Sequence, residues 1–284
     1  MSWKSPHGTP LPDWRQRTLM MGIINITPDS FSDGGQALEI NNALNKASEL
    51  LGQGVDILDL GAESTRPGSE SISAEVESAR LLPVLRALRK KFPHTPLSID
   101  TYKAQVAKLC LEEGADIIND VEGARYESTG NNSPMARLCA QTGAPLILMH
   151  RRREIIADDF WNTLINDLKG SIQLAQQAGM KPEQIWIDPG FGFGKTPAQN
   201  LGLVRHLEKI TALGFPVLLG TSRKSTLGLV LQEPDPHKRE EGNEVTATWG
   251  IAQGCSMIRA HDFSRLKKVI LVADALRHSP NWKS

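Results

Sequence analysis

Three residues set the chemical question. Asp100, Asn119 and Asp188 each fall at the end of a short apolar run, in "PLSID", "DIIND" and "IWIDPG". An acid or amide there is costly to bury unless a ligand with matching donors satisfies it. A carboxylate takes two parallel N–H groups well, as an Arg or an aminopyrimidine edge supplies them. Lys224 in "GTSRKS" adds a cationic donor, and Phe193 in "DPGFGFGKT" adds a flat apolar wall. Together they suit a flat heterocycle bearing N–H donors and a carbonyl. A second set, Asn25, Arg259 and His261, joins two cations to an amide and suits a phosphate group with a hydrated Mg²⁺. Arg259 and His261 are two apart on a strand, so they share a face.

The neighbouring motifs sharpen this. "DPGFGFGKT" (188–196) invites comparison with a phosphate loop and fails its spacing: Pro189 stands where a Walker A motif needs glycine. A better account is a Gly-rich loop that lets backbone approach a ligand. Arg223 and Lys224 fall where a strand meets a helix, and two cations there oppose the helix dipole, so helix stability does not explain them. His150 reads equally well as a core or a site residue. Arg151–Arg153 read as a solvated run with no catalytic task, and Glu233–Glu244 as a mobile, charge-rich surface loop. The stretch "MGIINITPDSFSDGG" leaves a buried strand for turn-forming residues, yet keeps one large aromatic, Phe31, among them.

Positioning such residues takes a scaffold that gathers strand ends. Eight apolar β-rich runs alternate with helix-like segments, among them Ala43–Gln53, Ala74–Lys91, Lys103–Glu113, Trp161–Ala178 and Leu201–Leu213. The runs end at Asn25, Gly61, Asp100, Asn119, His150, Asp188, Thr221 and Arg259. Continuous apolar strands joined by helices pair in parallel. Eight βα units in one series predict an α/β fold, a TIM (β/α)8 barrel, with a doubly wound open sheet as the alternative. Strand ends of a barrel converge on one face, where active sites lie. The first and eighth strands would close the barrel side by side, bringing Asn25 to Arg259 and His261. The reading is a single domain over 18–277, with an N-terminal tail 1–17 and a C-terminal tail 278–284.

The totals exclude other classes. The 284 residues are 40% hydrophobic and 23% charged with zero formal net charge, which does not favour nucleic acid or an anionic membrane as partner. No apolar run approaches the length that spans a bilayer, and the first 17 residues lack a signal peptide's apolar stretch. Cys110, Cys139 and Cys255 stand far apart without zinc-ligand spacing, which favours reduced thiols and a cytoplasmic location.

Eight segments in order, "MGIINITPDSFSDGG", "DLGAESTRPG", "SIDTYKAQVA", "IINDV", "ILMH", "IDPGFGFGKT", "GTSRKS" and "IRAHD", resemble the dihydropteroate synthase family from residue 18 to about 277. The resemblance implies a homodimeric TIM-barrel transferase of folate biosynthesis. It would join 6-hydroxymethyl-7,8-dihydropterin pyrophosphate to p-aminobenzoate, releasing pyrophosphate through a pterin cation. Carried over motif by motif, Asp100, Asn119, Asp188 and Lys224 would bind the pterin, with Met149 and Phe193 against its ring. Asn25, Arg259 and His261 would hold the pyrophosphate and Mg²⁺, Asn25 as the metal ligand. Phe31, Thr65, Arg66, Pro67 and Ser225 would frame the p-aminobenzoate site beside Lys224, a sulfonamide target. Asp100 would stabilise the pterin cation, while Arg259 and His261 would stabilise the leaving group. Two connecting segments, Arg151–Arg153 and "HKREEGNEVTAT", depart from the family's pattern. A corrinoid-type pterin methyltransferase should lack "TPDSFSDGG" and "SRKS", and a non-catalytic pterin-binding scaffold should lack one of Asn25, Lys224, Arg259 or His261. All are present here.

Overall fold

The computed structural model describes residues 3–26, 35–64 and 70–278. Strands and helices alternate: β1 (Leu19–Asn25), α1 (Gly35–Gly52), β2 (Ile57–Gly61), α2 (Ala74–Lys91), β3 (Leu97–Asp100), α3 (Ala104–Glu112), β4 (Ile117–Asp120) and α4 (Pro134–Thr142). Then come β5 (Leu146–Met149), α5 (Phe160–Gln177), β6 (Ile185–Asp188), α6 (Pro197–Arg205), the short α7 (Glu208–Thr211), β7 (Leu218–Leu219), α8 (Ser225–Leu231), α9 (Glu240–Ala252), β8 (Met257–Ala260) and α10 (Leu266–Arg277). The strands run in the order β6-β5-β4-β3-β2-β1-β8-β7, with every neighbouring pair parallel. Ile187 N donates to Pro216 O at 3.1 Å and Ile187 bridges Val217 in parallel, bringing β6 to β7. The sheet is therefore a TIM barrel, and an open doubly wound sheet is excluded.

Two corrections concern the later segments. The expected helix Leu201–Leu213 is broken at His206 and Leu207 into α6 and α7. The expected loop Glu233–Glu244 is largely ordered: a 3-10 turn spans Pro236–Lys238, and α9 starts at Glu240. The Asp235 carboxylate caps that turn by accepting from His237 N at 2.9 Å. Glu240 and Glu241 then meet the positive end of the α9 dipole, so a run that reads as surface charge also starts a helix.

Alternation along the strands separates two cores. One side chain set, including Leu58, Leu60, Leu97, Ile99, Ile118, Leu148, Ile187 and Ile258, packs outward beneath the helices. The other points into the barrel, where Leu19, Met21, Ile57, Ile117, Ile147, Trp186, Leu218 and Met257 form its floor. The N-terminal segment is part of that floor: Trp3 is 3% exposed, its ring 4.7 Å from that of Trp186, and Trp14 meets Trp186 edge-on at 5.9 Å. Trp3 Nε1 donates to Pro12 O at 2.8 Å, which meets the one polar demand of the buried indole.

Candidate active site

Two residues beyond the floor, on the same inward faces, the chemistry changes. Ile57 gives way to Asp59, Ser98 to Asp100, Ile117 to Asn119, Ile147 to Met149, Trp186 to Asp188, and Met257 to Arg259. Sheet register sets these side by side: Gly61 opposite Asp100, Asp100 opposite Asn119, and Met149 opposite Asp188. The expected Asp100, Asn119, Met149, Asp188 and Arg259 are thus gathered at the C-terminal mouth, where barrel enzymes react.

Arg259 organises the centre. Its Nε donates to Asp59 Oδ2 at 2.7 Å and its Nη2 to Asp100 Oδ2 at 2.7 Å. Asn119 Nδ2 donates to the same Asp59 oxygen at 3.1 Å, which orients the amide. Asp59 Oδ1 and Asp100 Oδ1 remain buried without a hydrogen-bond partner. Two orphaned carboxylate oxygens in one pocket are an acceptor pair awaiting N–H donors. Burial pushes Asp100 up to about 7, against the pull of the Arg259 guanidinium. Burial likewise pushes Asp188 up to about 6, while Gly190 N, donating to Asp188 Oδ1 at 2.7 Å, pulls it back down. Both carboxyls therefore titrate near neutrality in the free pocket.

The remaining side chains form its walls. Lys224 caps α8, and its Nζ lies 4.1 Å from the centre of the Phe193 ring. Arg223, just before it, adopts a left-handed φ of +61°. Arg239 Nη1 holds the Arg223 carbonyl at 3.0 Å, and the same guanidinium donates to Glu233 O and Pro234 O. Ser222 Oγ lies 3.0 Å from His261 Nδ1 and accepts from His261 N at 3.4 Å. Asn25 is exposed at the end of β1, and Ser225 is exposed in the first turn of α8. Phe31, Thr65, Arg66 and Pro67 lie outside the described residues.

Glu63, His150 and the arginines that follow it face elsewhere or act indirectly. Glu63 pairs with Lys103 Nζ and accepts from Tyr102 Oη at 2.8 Å, fixing the start of the second loop to α3. His150 is buried outside the pocket, with Nε2 3.1 Å from Asp167 Oδ2; burial, aided by the neighbouring Lys195 charge, draws its pKa down to about 3, so the ring is neutral. Of the arginine run, Arg152 binds Asp167 at 2.7 Å, whereas Arg151 pairs with Glu122 at 3.0 Å and stands 5.8 Å from the Phe193 ring. The sequence reading missed Asp59 altogether. Its signal was available: a lone carboxylate between Leu58 and Leu60, whose neighbours face the helices and whose own side chain must therefore face inward.

Among the described residues, no group of three or more His, Cys, Asp or Glu side chains could hold a metal ion. Asn25 ends β1 as an exposed amide, and sheet register sets Arg259 opposite Met21 on the same strand.

The pterin binding enzyme family matches residues 21–261. A dihydropteroate synthase from Bacillus subtilis is 41% identical over 93% of this chain and 90% of its own length. One from Clostridium beijerinckii is 43% identical over 92% of this chain and 95% of its own. Among solved structures, the Xanthomonas albilineans dihydropteroate synthase with 4-aminobenzoic acid superimposes with a TM-score of 0.88 at 34% identity, covering 98% of this chain and 99% of that one. The Coxiella burnetii dihydropteroate synthase in complex with pteroic acid gives a TM-score of 0.85 at 32% identity, with 98% of each chain covered. With the barrel, the acceptor-lined mouth and these relatives in agreement, the chain belongs to the dihydropteroate synthases, within the pterin-binding enzymes.

Proposed function

We propose that this chain condenses 6-hydroxymethyl-7,8-dihydropterin pyrophosphate with p-aminobenzoate to give 7,8-dihydropteroate and pyrophosphate. The observation that carries the reading is the acceptor array of Asp59, Asp100, Asn119 and Asp188 around Arg259, with two buried carboxylate oxygens left for a ligand's N–H groups. A pterin edge offers an amine and ring N–H donors in one plane, and Lys224 offers a donor to its carbonyl. Met149 and Phe193 supply apolar faces for the ring.

The reaction follows from charge. The bond between the pterin methylene carbon and the diphosphate oxygen breaks, and its electron pair leaves with pyrophosphate. The cation left on the dihydropterin is stabilised by the carboxylate of Asp100, preorganised by Arg259. Arg259 uses Nε and one Nη2 hydrogen on carboxylates, which leaves further donors of its fork for the departing diphosphate. His261 adds a ring N–H donor in this reading. The aryl amine's lone pair then forms the C–N bond and its surplus proton is released. A Mg²⁺ bound with the pyrophosphate, on Asn25, would neutralise charge on the leaving group. Phe31, Thr65, Arg66, Pro67 and Ser225 frame the p-aminobenzoate site in this reading, beside Lys224, and sulfonamides compete there.

Two features support a homodimer in the cytoplasm. Val245 and Trp249 on α9, Val272 and Leu276 on α10, and Leu229 and Val230 on α8 expose large apolar side chains on helices that neighbour one another. Such a surface favours burial against a second copy. The three cysteines are buried and free, as in a reducing compartment. No described helix is long and apolar enough to cross a membrane.

Purified protein incubated with dihydropterin pyrophosphate, p-aminobenzoate and Mg²⁺ should form dihydropteroate and pyrophosphate in equal amounts. Pyrophosphate without dihydropteroate would mean that water captures the cation. Pterin binding with neither product would make the chain a binding protein.

A further inference from the structure

The Gly-rich loop between β6 and α6 holds a charged group that the reaction does not use. Lys195 is 8% exposed, and its Nζ lies 2.8 Å from Gly190 O, 2.9 Å from Phe193 O and 3.0 Å from His150 Nδ1. An ammonium has three hydrogens, and here these three close acceptors take them, with His150 O farther off at 3.5 Å. Because Nδ1 accepts, the imidazole proton sits on Nε2 and goes to Asp167 Oδ2. A chain of contacts thus runs from beneath the loop, through the end of β5, to α5. The loop lies flat on that support: a Cβ at Gly190 (φ +69°) would stand 1.9 Å from His150 O, and one at Gly194 (φ +62°) 2.3 Å from Arg152 O. Just beyond the loop, Thr196 and Gln199 form a capping box, and Gln199 Nε2 donates to Ile156 O at 2.6 Å, a further tie to the β5–α5 connection.

We propose that Lys195 is a positioning residue for the pterin pocket, clamping the Gly190 and Phe193 carbonyls to His150 so that the Asp188 carboxylate and the Phe193 ring stay aimed at the ligand. Gly190 is the link to the carboxylate, since its N–H donates to Asp188 Oδ1 while its carbonyl accepts from Lys195. The lysine of "GFGK" therefore works by turning inward, where a phosphate-loop lysine would turn outward. The inference rests on the assignment of Asp188 and Phe193 to the pterin site.

The clamp has a pH dependence of defined sign. His150 faces Lys195 from just after β5, Asp167 from α5, Asp188 from β6, and Lys224 from the start of α8. Burial draws the Lys195 ammonium down to about 7, with the Asp188 charge opposing. A neutral amine keeps two hydrogens for three acceptors, so one tie is lost as pH rises through that value.

The test is Lys195→Met, assayed by steady-state kinetics from pH 6 to 9. The KM for dihydropterin pyrophosphate should rise about tenfold at pH 6.5 while kcat changes less than about threefold, the pattern of lost binding rather than lost chemistry. The KM for p-aminobenzoate should stay unchanged, and the wild-type rise in pterin KM above pH 7 should disappear. A pterin KM within twofold of wild type, or a fall confined to kcat, would overturn the proposal. Asp167→Ala cuts the far end of the chain near the surface and should raise the pterin KM about threefold; no rise there also counts against the clamp, even if Lys195→Met fails to fold. Asp188→Asn separates the two levels. If it leaves the pterin KM unchanged, the pocket assignment itself fails; if it raises the KM and Lys195→Met does not, only the clamp fails.

Discussion

The floor and the mouth of this barrel are built from the same strands, on the same inward face, two residues apart. At the floor Ile57, Ile117, Trp186 and Met257 close on one another and on Trp3. At the mouth Asp59, Asn119, Asp188 and Arg259 occupy the corresponding places, with carboxylate oxygens left unbonded. The floor is apolar packing, with the Trp186 Nε1 hydrogen its one unpartnered polar group among the clustered side chains, and so contributes stability. The mouth is satisfied only in part, and an incompletely bonded polar cluster is the usual cost of a preorganised site. One barrel thus separates folding from function by strand position alone.

The largest expected effect comes from breaking the mouth. Asp100→Asn keeps the shape and removes the charge that faces the pterin cation. Turnover should fall by about 10² to 10³, the loss typical of removing one preorganised electrostatic group. Pterin affinity should change less, because the amide oxygen keeps the Arg259 hydrogen bond, although its NH2 cannot accept from the ligand as the second carboxylate oxygen can. Single-turnover kinetics with titrated pterin pyrophosphate reads both, and near-wild-type turnover would remove Asp100 from the chemistry.

Breaking the floor should do the opposite. Trp3→Ala deletes a buried indole against Trp186 and should cost about 3 kcal/mol of stability. Urea unfolding measures that loss, while kcat at low temperature should stay near wild type. A drop in kcat with no change in unfolding midpoint would show that the N-terminal segment reaches the mouth after all.

Asp59 lies between the two levels and sharpens the comparison. It is fully buried, it orients both Arg259 and Asn119 through one oxygen, and its other oxygen has no partner within the chain. Asp59→Asn weakens a charge-assisted hydrogen bond worth about 1.5–3 kcal/mol, so kcat/KM should fall about 10- to 100-fold. Asp59→Asn combined with Arg259→Ala should lose far less than the sum, since both act through one guanidinium. Additive losses would mean that Asp59 reaches the ligand independently.

What was legible in the sequence follows the same division. The strand ends at Asn25, Gly61, Asp100 and Asp188 were readable because apolar runs stop there and turn chemistry begins. α2 was readable to its ends, with Ser73 capping Val76 N and basic residues closing its last turn. Side-chain direction was harder. His150 follows the same apolar pattern as the other ends, yet turns toward Asp167 and Lys195, contacts made across loops with no local periodicity. Trp3 finds Trp186 through the closed barrel, a pairing of distant segments that no local signal announces. β7 covers only Leu218–Leu219, and the turn before α8 is held at the Arg223 carbonyl by Arg239, a residue that reads as part of a charged surface run. Asp59 was missed although strand parity placed it inside, because polarity was weighed only at the ends.

The smallest effect is a pH trend that separates binding from stability at the mouth. In the free protein burial holds Asp188 at about 6 and Asp100 at about 7, above the ordinary carboxylate range. A carboxyl raised on folding contributes its stability below the unfolded value near 4 and loses it as pH rises through the folded value. These two groups therefore favour the free fold in acid and oppose it at neutrality. Pterin needs the ionised acceptors, so its affinity runs the other way. It should weaken about tenfold from pH 7 to pH 5 if Asp188 must be ionised to bind. Equilibrium titration of the pterin at each pH, beside Asp188→Asn, removes the ligand's own titration from the comparison. A wild-type profile parallel to that of the variant would mean that Asp188 is already ionised at pH 5, the Gly190 N–H and the Lys224 charge outweighing the burial that opposes them.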